Sequence, residues 1–413
     1  MKKVLTVAVI GLGGRGNAYA NNIVNHPDEF KLVACCDLNQ DRINNYKEKF
    51  GIEDKNCFLS EEEFFAEKRA DVCIVATQDR DHVDHAIKAL ALGYDILTEK
   101  PISDNEKDCR RLLKAQKKYG GKVFVCHVLR YAPAFVKCKE LLESGVIGDL
   151  VMVDHIEQVY FFHQAHSFVR GNWRRRDQTS PMIIAKCCHD LDLLQWYIGS
   201  KCKTISSIGD LRFFKKENKP EGSADRCTEC QFKETCPYSA VWGYRCENGL
   251  WSNNAITDVR PITQEAVDEA LKTGPYGRCV FACDNNVVDN QICTMTFENG
   301  VTANLRMTAF TRHGSRIIKF YGTYGEIDFE GDRQEILVKV FGKPVERIDA
   351  AALIENGYGH GGGDAGLIKA LYGLMTGESN KGTTLEASIE SHLMGFAAEK
   401  SRLKGGKVIK IKH

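Results

Sequence analysis

Hydrophobic and polar residues form two different patterns along the chain, and the first gives way to the second near residue 126. In the first third, short apolar runs rich in β-branched residues lie at 4–10, 31–36, 72–76 and 123–125. Helix-like stretches separate these runs, which predicts parallel strands connected by helices. Ser60 and Ser103 are each followed three residues later by Glu, a spacing typical of helix starts.

The rest of the chain predicts a second sheet of mainly antiparallel strands. Strand-like or helical stretches lie at 150–162, 188–198, 293–297, 302–307 and 316–321. The turn around Asn299 and Gly300 is typical of a hairpin between two of them. A polar, cysteine-bearing stretch at about 215–277 interrupts the pattern and indicates an insertion. We therefore expect two domains, at 1–126 and 127–413.

Composition and charge exclude several classes of protein. The 413 residues are 43% hydrophobic and 27% charged, values typical of globular proteins rather than disordered chains. The formal net charge is +1, which gives no reason to expect binding to nucleic acid or to an anionic membrane. The apolar runs are too short to span a bilayer, and glycines interrupt the one that begins the chain. We therefore expect a soluble protein without a signal peptide or a membrane partner.

Cysteine usage favours a reducing compartment. The 17 cysteines are scattered, most of them singly, through apolar segments of a long chain. This distribution is typical of reduced thiols in a protein core rather than of a disulfide framework. We therefore expect a cytoplasmic protein.

A glycine-rich turn follows the first predicted strand. Gly11, Gly13 and Gly16 form GxGxxG between a strand pattern and a helix pattern, where glycines let backbone N–H groups approach a pyrophosphate. Asp37 ends the next predicted strand 26 residues after Gly11, where a carboxylate would meet ribose hydroxyls. Strand, glycine turn, helix and acid in this order predict a dinucleotide site. The alternative is a turn with a purely structural role.

Asp37 also bears on the choice between NAD and NADP. Its carboxylate would face the 2′-phosphate of NADP, so the sequence favours NAD, with NADP as the less favoured cofactor. Arg15 and Arg42 carry positive charges that partly offset this preference.

Four segments together resemble a known family. They are GLGGRG at 11–16, VATQDRDH at 75–82, EKPIS at 99–103 and KCCHDLD at 186–192. Over nearly its whole length, the chain resembles the Gfo/Idh/MocA oxidoreductases. The resemblance implies an α/β fold, with an N-terminal Rossmann domain and a C-terminal α/β domain that has a large, mostly antiparallel open sheet. It also implies a homo-dimer or homo-tetramer, as is common in the family.

The resemblance assigns the chemistry to two residues. Alcohol oxidation needs a base for the hydroxyl proton and a group that stabilises the developing alkoxide, and these roles fall to His189 and Lys100. Sugar dehydrogenases of the family usually have Asp four residues before this His, where the chain has Ala185 followed by Lys186. Lys186 is therefore a third catalytic candidate. Further cofactor contacts are assigned to Gly14, Arg15, Thr77, His82, Glu99 and Lys100 itself.

Substrate contacts are expected from several segments that resemble parts of the family's cleft. Asp192 shares a helical face with His189 because it lies three residues later. The other candidates are Arg130, Tyr131, Trp173, Arg174 and His360. Each of these has a structural alternative, as a surface pair or part of a glycine loop.

The insertion contains a possible zinc site. Cys227, Cys230 and Cys236 give a CxxC followed by a third thiol, a spacing compatible with tetrahedral zinc. As the fourth ligand, the resemblance favours Cys279 over Cys246. Packed free thiols are the alternative.

Three functions are compatible with the sequence. The favoured hypothesis is an NAD-dependent oxidoreductase that transfers a hydride between a secondary hydroxyl of a sugar, cyclitol or glycoside and the nicotinamide. The second is an NAD-dependent glycosidase that works by transient ring oxidation and elimination. The third is a non-catalytic, NAD-responsive regulatory protein, against which the presence of both Lys100 and His189 argues.

Overall fold

The computed structural model describes residues 3–354, 359–379 and 382–413, and its strands form two sheets. The strands of the first sheet are β1 (Leu5–Ile10), β2 (Phe30–Cys36), β3 (Cys57–Phe58), β4 (Val72–Val75), β5 (Asp95–Thr98) and β6 (Val123–Val125). Those of the second are β7 (Leu150–Gln158), β8 (Cys202–Asp210), β9 (Asn290–Phe297), β10 (Thr302–Thr308), β11 (Ser315–Gly322), β12 (Gly325–Glu330), β13 (Glu335–Val340), β14 (Glu346–Asp349) and β15 (Ile409–Lys410).

The helices follow the strands in the first half and cover one face of the sheet in the second. They are α1 (Gly14–Ile23), α2 (Gln40–Phe50), α3 (Glu61–Phe64), α4 (His82–Ala91), α5 (Glu106–Tyr119), α6 (Pro133–Glu143), α7 (Phe161–His163), α8 (Met182–Ala185), α9 (Cys188–Ile198), α10 (Ala240–Gly243), α11 (Gln264–Thr273), α12 (Gly363–Thr376) and α13 (Leu385–Arg402). Over the ranges that the structure describes, none of these helices has the length and apolarity that a bilayer-spanning segment requires.

The first sheet is entirely parallel, with strand order β3-β2-β1-β4-β5-β6. This is the order of a dinucleotide-binding Rossmann sheet, so the predicted fold of the first part is confirmed. Helices cover both faces, which explains why β1 and β4 are buried almost throughout. The carboxyl ends of β1, β2, β4 and β5 meet at one edge, where ligands bind in such sheets.

The second sheet has the strand order β14-β13-β12-β11-β7-β10-β9-β8-β15. Its neighbouring strands run antiparallel, except that β7 and β10 run parallel, so the predicted mostly antiparallel sheet is confirmed. One face is buried beneath helices and the other is open. On β10, for example, Leu305 and Met307 are buried while Thr302 and Arg306 are exposed.

One predicted helix start is correct and the other is wrong. Ser60 caps α3 by accepting a hydrogen bond from the backbone N–H of Glu63. The cap of α5 is Asn105 rather than Ser103, because the Asn105 side chain accepts from the N–H of Asp108 at 2.9 Å. Similarly, the strand predicted at 150–162 ends at Gln158 and gives way to α7.

Helix α12 packs against the first sheet although it follows the second sheet in sequence. Its apolar residues Leu367, Ile368 and Leu371 belong to the same buried cluster as Val7 of β1 and Tyr19 of α1. The first sheet is therefore completed by a helix from the last part of the chain.

The structure does not support the predicted zinc site. Among the described residues, no group of three or more His, Cys, Asp or Glu side chains could hold a metal ion. Instead, Cys227 and Cys279 lie in two different apolar clusters, Cys230 is buried, and the Cys227 Sγ accepts from the Arg170 guanidinium at 3.5 Å. Burial raises the pKa of the Cys236 and Cys279 thiols. All 17 cysteines of the chain are free thiols in the structure.

Candidate active site

The glycine turn between β1 and α1 combines close packing with open space. A Cβ at Gly11, whose φ is +90°, would lie 2.5 Å from the carbonyl oxygen of Ala76, and one at Gly16 would lie 2.0 Å from the carbonyl oxygen of Gly11. At Gly13 and Gly14, by contrast, a Cβ would meet no protein atom within 4 Å. Gly11 and Gly16 therefore allow the loop to pack closely against the sheet. Gly13 and Gly14 leave room for a ligand at the N-terminus of α1, and these positions fit a dinucleotide pyrophosphate.

Asp37 lies at the carboxyl end of β2, directly beside this turn. Its Oδ2 accepts from the backbone N–H of Leu12 at 2.7 Å, and its Oδ1 accepts from the N–H of Asn39 at 2.9 Å. These bonds fix the carboxylate at the rim of the turn. The Arg42 guanidinium lies 3.9 Å from Asp37 Oδ2.

Arg15 and Glu99, both predicted to contact the cofactor, bind each other. Arg15 Nε donates to Glu99 at 2.6 Å, and Arg15 Nη2 donates to Asp364 at 2.7 Å. Burial alone would raise the pKa of Glu99, but the charges of Arg15 and Lys100 outweigh it and lower the pKa to about 2. Arg15 and Glu99 thus hold the glycine turn and the segment after β5 together.

Thr77 lies in the loop after β4, and His82 is the first residue of α4. The backbone nitrogen of Thr77 lies against Gly11, 2.8 Å from the position of a Cβ there. The buried His82 ring lies between two carbonyl oxygens, with Nδ1 at 2.7 Å from Pro101 and Nε2 at 3.1 Å from Thr77. His82 thus joins the segments after β4 and β5, and both of its ring nitrogens lie beside carbonyl oxygens of the chain.

Lys100 and His189 come together where the two halves of the chain meet. Lys100 follows β5, and His189 lies in the first turn of α9. Burial, followed by the charges of Lys100, His127 and His360, holds the pKa of His189 well below its ordinary value. The imidazole is therefore neutral near neutral pH and able to accept a proton. Its Nδ1 is buried and has no hydrogen-bond partner among the described residues.

His127 is a further buried imidazole that the sequence analysis missed. It lies just after β6, and its ring centre is 6.0 Å from that of His189. Burial lowers its pKa to about 4, assisted by Arg130 and Lys100 and opposed by Asp192. The position directly after a predicted strand, at the ligand-binding edge, is the signal that could have identified it.

A cavity of about 320 Å³ opens beside this centre. Its polar and aromatic walls include Glu157, Tyr160, His163, Lys186, Trp251 and Arg316. His360 lines it too, and its ring centre lies 6.1 Å from that of His189. Such a volume is near the lower end of the usual range for small-molecule pockets.

One wall of the cavity is a buried network of charges. Glu157 forms ion pairs with Lys186 Nζ at 3.1 Å and with Arg316 Nη2 at 2.8 Å, and Arg316 Nε donates to Asp190 at 2.7 Å. Burial raises the pKa of Glu157 although Arg316 and Lys186 oppose the shift. A sequence signal was present, since Val153, His155 and Glu157 alternate on the buried face of β7.

Most of the predicted substrate residues have protein partners instead. Arg130 binds both carboxylate oxygens of Asp192, at 2.6 and 2.7 Å. Tyr131 lines a different cavity, of about 620 Å³. Trp173 Nε1 donates to Asp79 at 3.0 Å, and Arg174 pairs with Asp284 at 2.7 Å. Of the six predicted residues, His360 is the one that lines the cavity beside His189.

Comparison with protein families agrees with this arrangement. Residues 5–127 match the family model described as "Oxidoreductase family, NAD-binding Rossmann fold", and residues 139–411 match "Oxidoreductase family, C-terminal alpha/beta domain". The chain belongs to the Gfo/Idh/MocA family of oxidoreductases. The open space at Gly13 and Gly14 is consistent with the NAD-binding fold that defines the first part of this family.

Individual relatives are distant in sequence. The oxidoreductase-named protein YteT of Bacillus subtilis (strain 168) is 26% identical over 326 residues, which are 75% of this chain and 74% of that protein. A myo-inositol 2-dehydrogenase of Thermotoga maritima is 30% identical over 210 residues, and the match spans 50% of this chain and 59% of that enzyme.

Solved structures of the Gfo/Idh/MocA type share the fold. A WlbA dehydrogenase of Bordetella pertussis, in complex with NADH and UDP-GlcNAcA, has a TM-score of 0.73 at 17% identity, and the match covers 100% of this chain and 99% of that one. A levoglucosan dehydrogenase in complex with NADH and levoglucosan has a TM-score of 0.72 at 17% identity, with 100% of both chains covered.

Proposed function

We propose that this protein is an NAD-dependent dehydrogenase that acts on a secondary hydroxyl of a sugar or cyclitol. The observation that carries the proposal is the buried His189, which feels the charge of Lys100 and whose ring centre lies 6.1 Å from that of His360 on the wall of a cavity of about 320 Å³. Relatives named as a myo-inositol 2-dehydrogenase and a levoglucosan dehydrogenase support this substrate class.

The cofactor would be held by the carboxyl edge of the first sheet. The pyrophosphate would lie at Gly13 and Gly14, and the adenosine ribose would lie at Asp37. Thr77, whose backbone packs on Gly11, would line the same edge. When bound, NAD supplies the hydride acceptor, or NADH the donor, that no side chain can provide.

Two side chains would act at the reacting hydroxyl, one by accepting its proton and the other by stabilising the negative charge that develops on its oxygen. The neutral His189 would accept the hydroxyl proton, because burial and the charge of Lys100 keep it deprotonated before the reaction. The Lys100 ammonium would stabilise the developing alkoxide by charge and hydrogen bonding. Glu99, which accepts from the backbone N–H of Lys100 at 2.9 Å, holds that residue's backbone in place.

The cavity walls suit a ring that carries hydroxyl groups. Trp251 and Tyr160 provide aromatic surface for the apolar face of a sugar, and Lys186 and His360 provide polar groups at its edge. His163 stacks on Trp251, with ring centres 4.4 Å apart, and so fixes that platform. Lys186 is also the reserve candidate for the catalytic base.

A redox-neutral glycosidase is the second candidate, and Glu157 is the observation that favours it. This carboxyl lines the cavity, and its burial raises the pKa against the opposing charges of Arg316 and Lys186, so Glu157 is the group that would act as general acid toward a leaving aglycone oxygen. In that reaction a ring hydroxyl is oxidised to a ketone, the aglycone is eliminated, water adds, and the hydride is returned to the sugar. The cofactor is unchanged at the end of the cycle.

One assay separates the two candidates. The purified protein is incubated with NAD and a panel of sugars, cyclitols and aryl glycosides, while NADH and free aglycone are both recorded. The dehydrogenase proposal expects net NADH with free sugars or cyclitols and no aglycone. Aglycone release without net NADH supports the glycosidase. Tight NAD binding with neither product would favour the regulatory hypothesis.

We also propose a cytoplasmic homo-dimer or homo-tetramer that associates through the open face of the second sheet. Ile208 of β8 pairs with Ile292 of β9 on that face, and they are 58% and 46% exposed. Adjacent exposed apolar side chains are typical of an interface. Light scattering coupled to gel filtration measures the assembly, and Ile292→Lys should shift it to monomer.

A further inference from the structure

An ion pair connects the insertion to the far end of the cofactor site. Arg42 lies in the first turn of α2, and its Nε donates to Asp258 Oδ1 at 3.3 Å. The other Asp258 oxygen accepts from the Asn39 side chain at 3.2 Å. Asp258 belongs to the predicted insertion, 216 residues after Arg42. Nothing in the dinucleotide-site pattern of the sequence indicated this contact.

The Arg42 guanidinium lies between two carboxylates. It is 3.3 Å from Asp258 on one side and 3.9 Å from Asp37 on the other. Asp37 is the group proposed to contact the ribose hydroxyls, so Arg42 stands where a phosphate on the 2′-hydroxyl would need a countercharge. Two negative charges already compete for that guanidinium.

The side chains of Arg42 and Asp258 are exposed enough to solvent to change their orientation. The Arg42 and Asp258 side chains are 40% and 33% exposed, so neither is locked by packing. An exposed guanidinium released from one carboxylate can turn toward a nearby phosphate and bind it through two parallel hydrogen bonds. The orientation of the Arg42 guanidinium therefore depends on its ion pair with the Asp258 carboxylate.

We propose that Asp258 is a specificity-determining residue, which makes the site favour NAD over NADP by holding Arg42 away from a 2′-phosphate. This inference rests on the proposed NAD site at Asp37. It also gives the insertion a role at both ends of the cleft, because Trp251 of the same segment lines the cavity beside His189.

Asp258→Asn tests the proposal. The amide keeps an oxygen that can accept from Asn39, but it no longer holds the Arg42 charge. Isothermal titration of the purified protein with NAD and with NADP should show NADP binding about fivefold tighter, with NAD unchanged within about twofold. The fragments 5′-AMP and 2′,5′-ADP should show the same difference, which requires neither nicotinamide nor catalysis.

Two controls accompany this variant. Asp268→Asn removes the same charge from an exposed site on α11 of the insertion and should leave both affinities unchanged. Arg42→Ala in the Asp258→Asn background should abolish the gain in NADP affinity, because the gain depends on the guanidinium. Asp258→Ala also removes the carboxylate that holds Arg42 and should give a similar gain in NADP affinity.

The possible failures are distinguishable. If wild-type protein binds neither dinucleotide, the proposed function fails. If wild-type protein binds NAD but Asp258→Asn and Asp258→Ala leave the ratio of NAD to NADP affinity unchanged, the role of Asp258 is refuted. An equal loss of affinity for both dinucleotides would also refute it, because Asp258 would then merely order the loop. A wild-type preference for NADP would overturn it as well.

Discussion

Arg15 donates hydrogen bonds to both oxygens of the Asp364 carboxylate, at 2.7 and 3.2 Å, although the two residues lie 349 positions apart. The same guanidinium binds Glu99, so the glycine turn, the segment after β5 and the start of α12 share one cation. Asp364 also accepts from His360, which lines the cavity. The glycine turn and the cavity lined by His360 are thus connected through a single carboxylate.

Removal of this cation should be costly for stability. Arg15→Gln leaves Glu99 and Asp364 with much less countercharge, and we expect a loss of about 3 kcal/mol in the free energy of unfolding. Arg245→Gln, which breaks an exposed pair with Glu234, should cost less than about 1 kcal/mol. Urea unfolding followed by circular dichroism measures both. Equal, small losses would show that Arg15 contributes no more than a surface ion pair.

Lys100 and His189 should affect turnover rather than cofactor binding. Lys100→Ala and His189→Ala are each expected to lower kcat about a hundredfold or more, because they remove the two groups proposed to act at the reacting hydroxyl. NAD affinity, measured by titration, should stay within about threefold of wild type. Lys107→Ala on the exposed face of α5 is the control. Wild-type turnover in both variants would refute the site, and loss in only one would reassign the base, with Lys186 tested next.

Asp37 should influence the cofactor and little else. Asp37→Ala loses the proposed ribose contact and should weaken NAD binding about tenfold while reducing discrimination against NADP. Asp37→Asn keeps one oxygen for the Leu12 N–H and distinguishes loss of the ribose contact from loss of the loop. Unchanged affinities for both dinucleotides in both variants would contradict the assignment.

Trp251 should determine substrate affinity more than rate. Trp251→Ala removes the aromatic platform, and we expect KM to rise about tenfold while kcat changes less than about threefold. Trp251→Phe keeps a ring in the same position and should retain most of the affinity. A fall in kcat with constant KM would place Trp251 outside the substrate-binding wall.

Acid should destabilise the protein before its carboxylates are protonated. Burial lowers the pKa of His127 to about 4 and of His392 to about 3, from an ordinary value of 6.5. Between pH 6.5 and about 4.5 the unfolded chain therefore binds protons that the folded chain refuses, so stability falls as the pH falls. Each such histidine contributes up to about 1.4 kcal/mol per pH unit.

His392→Gln isolates one contribution to this pH dependence. Its Nε2 accepts from the backbone N–H of Ile102, and a glutamine oxygen can replace that acceptor. The variant should show a smaller slope of unfolding free energy against pH between 7.5 and 5. A slope identical to that of the wild type would mean that His392 is not kept neutral by the fold.

The sequence predicted features that depend on neighbours along the chain. The glycine turn, Asp37 and Lys100 are each defined by the end of a strand, and a buried parallel strand has a strong local pattern. The parallel direction of the strands also follows from repeated strand and helix units. These parts of the fold and site need no long-range register to be predicted.

Pairs of side chains that lie on different strands or in different domains could not be predicted from such local patterns. Glu157 faces Arg316 because β7 and β11 are paired in a particular register, which no local pattern specifies. Arg130 and Asp192 were predicted as separate substrate contacts, and the structure joins them by a hydrogen bond across 62 positions. No local pattern indicated that they are partners.

The position of α12 has a consequence for how the protein is made. The strands of the first sheet leave the ribosome before α12, so the apolar surface that Val7 of β1 and Tyr19 of α1 share with α12 lacks this cover until Leu367 and Leu371 have been synthesised. Tyr372, whose ring meets Phe30 edge-on at 5.9 Å and whose hydroxyl donates to the Lys3 carbonyl, anchors the beginning of the chain to its last quarter. The N-terminal half of the nascent chain therefore keeps part of its apolar surface exposed until translation has passed residue 376.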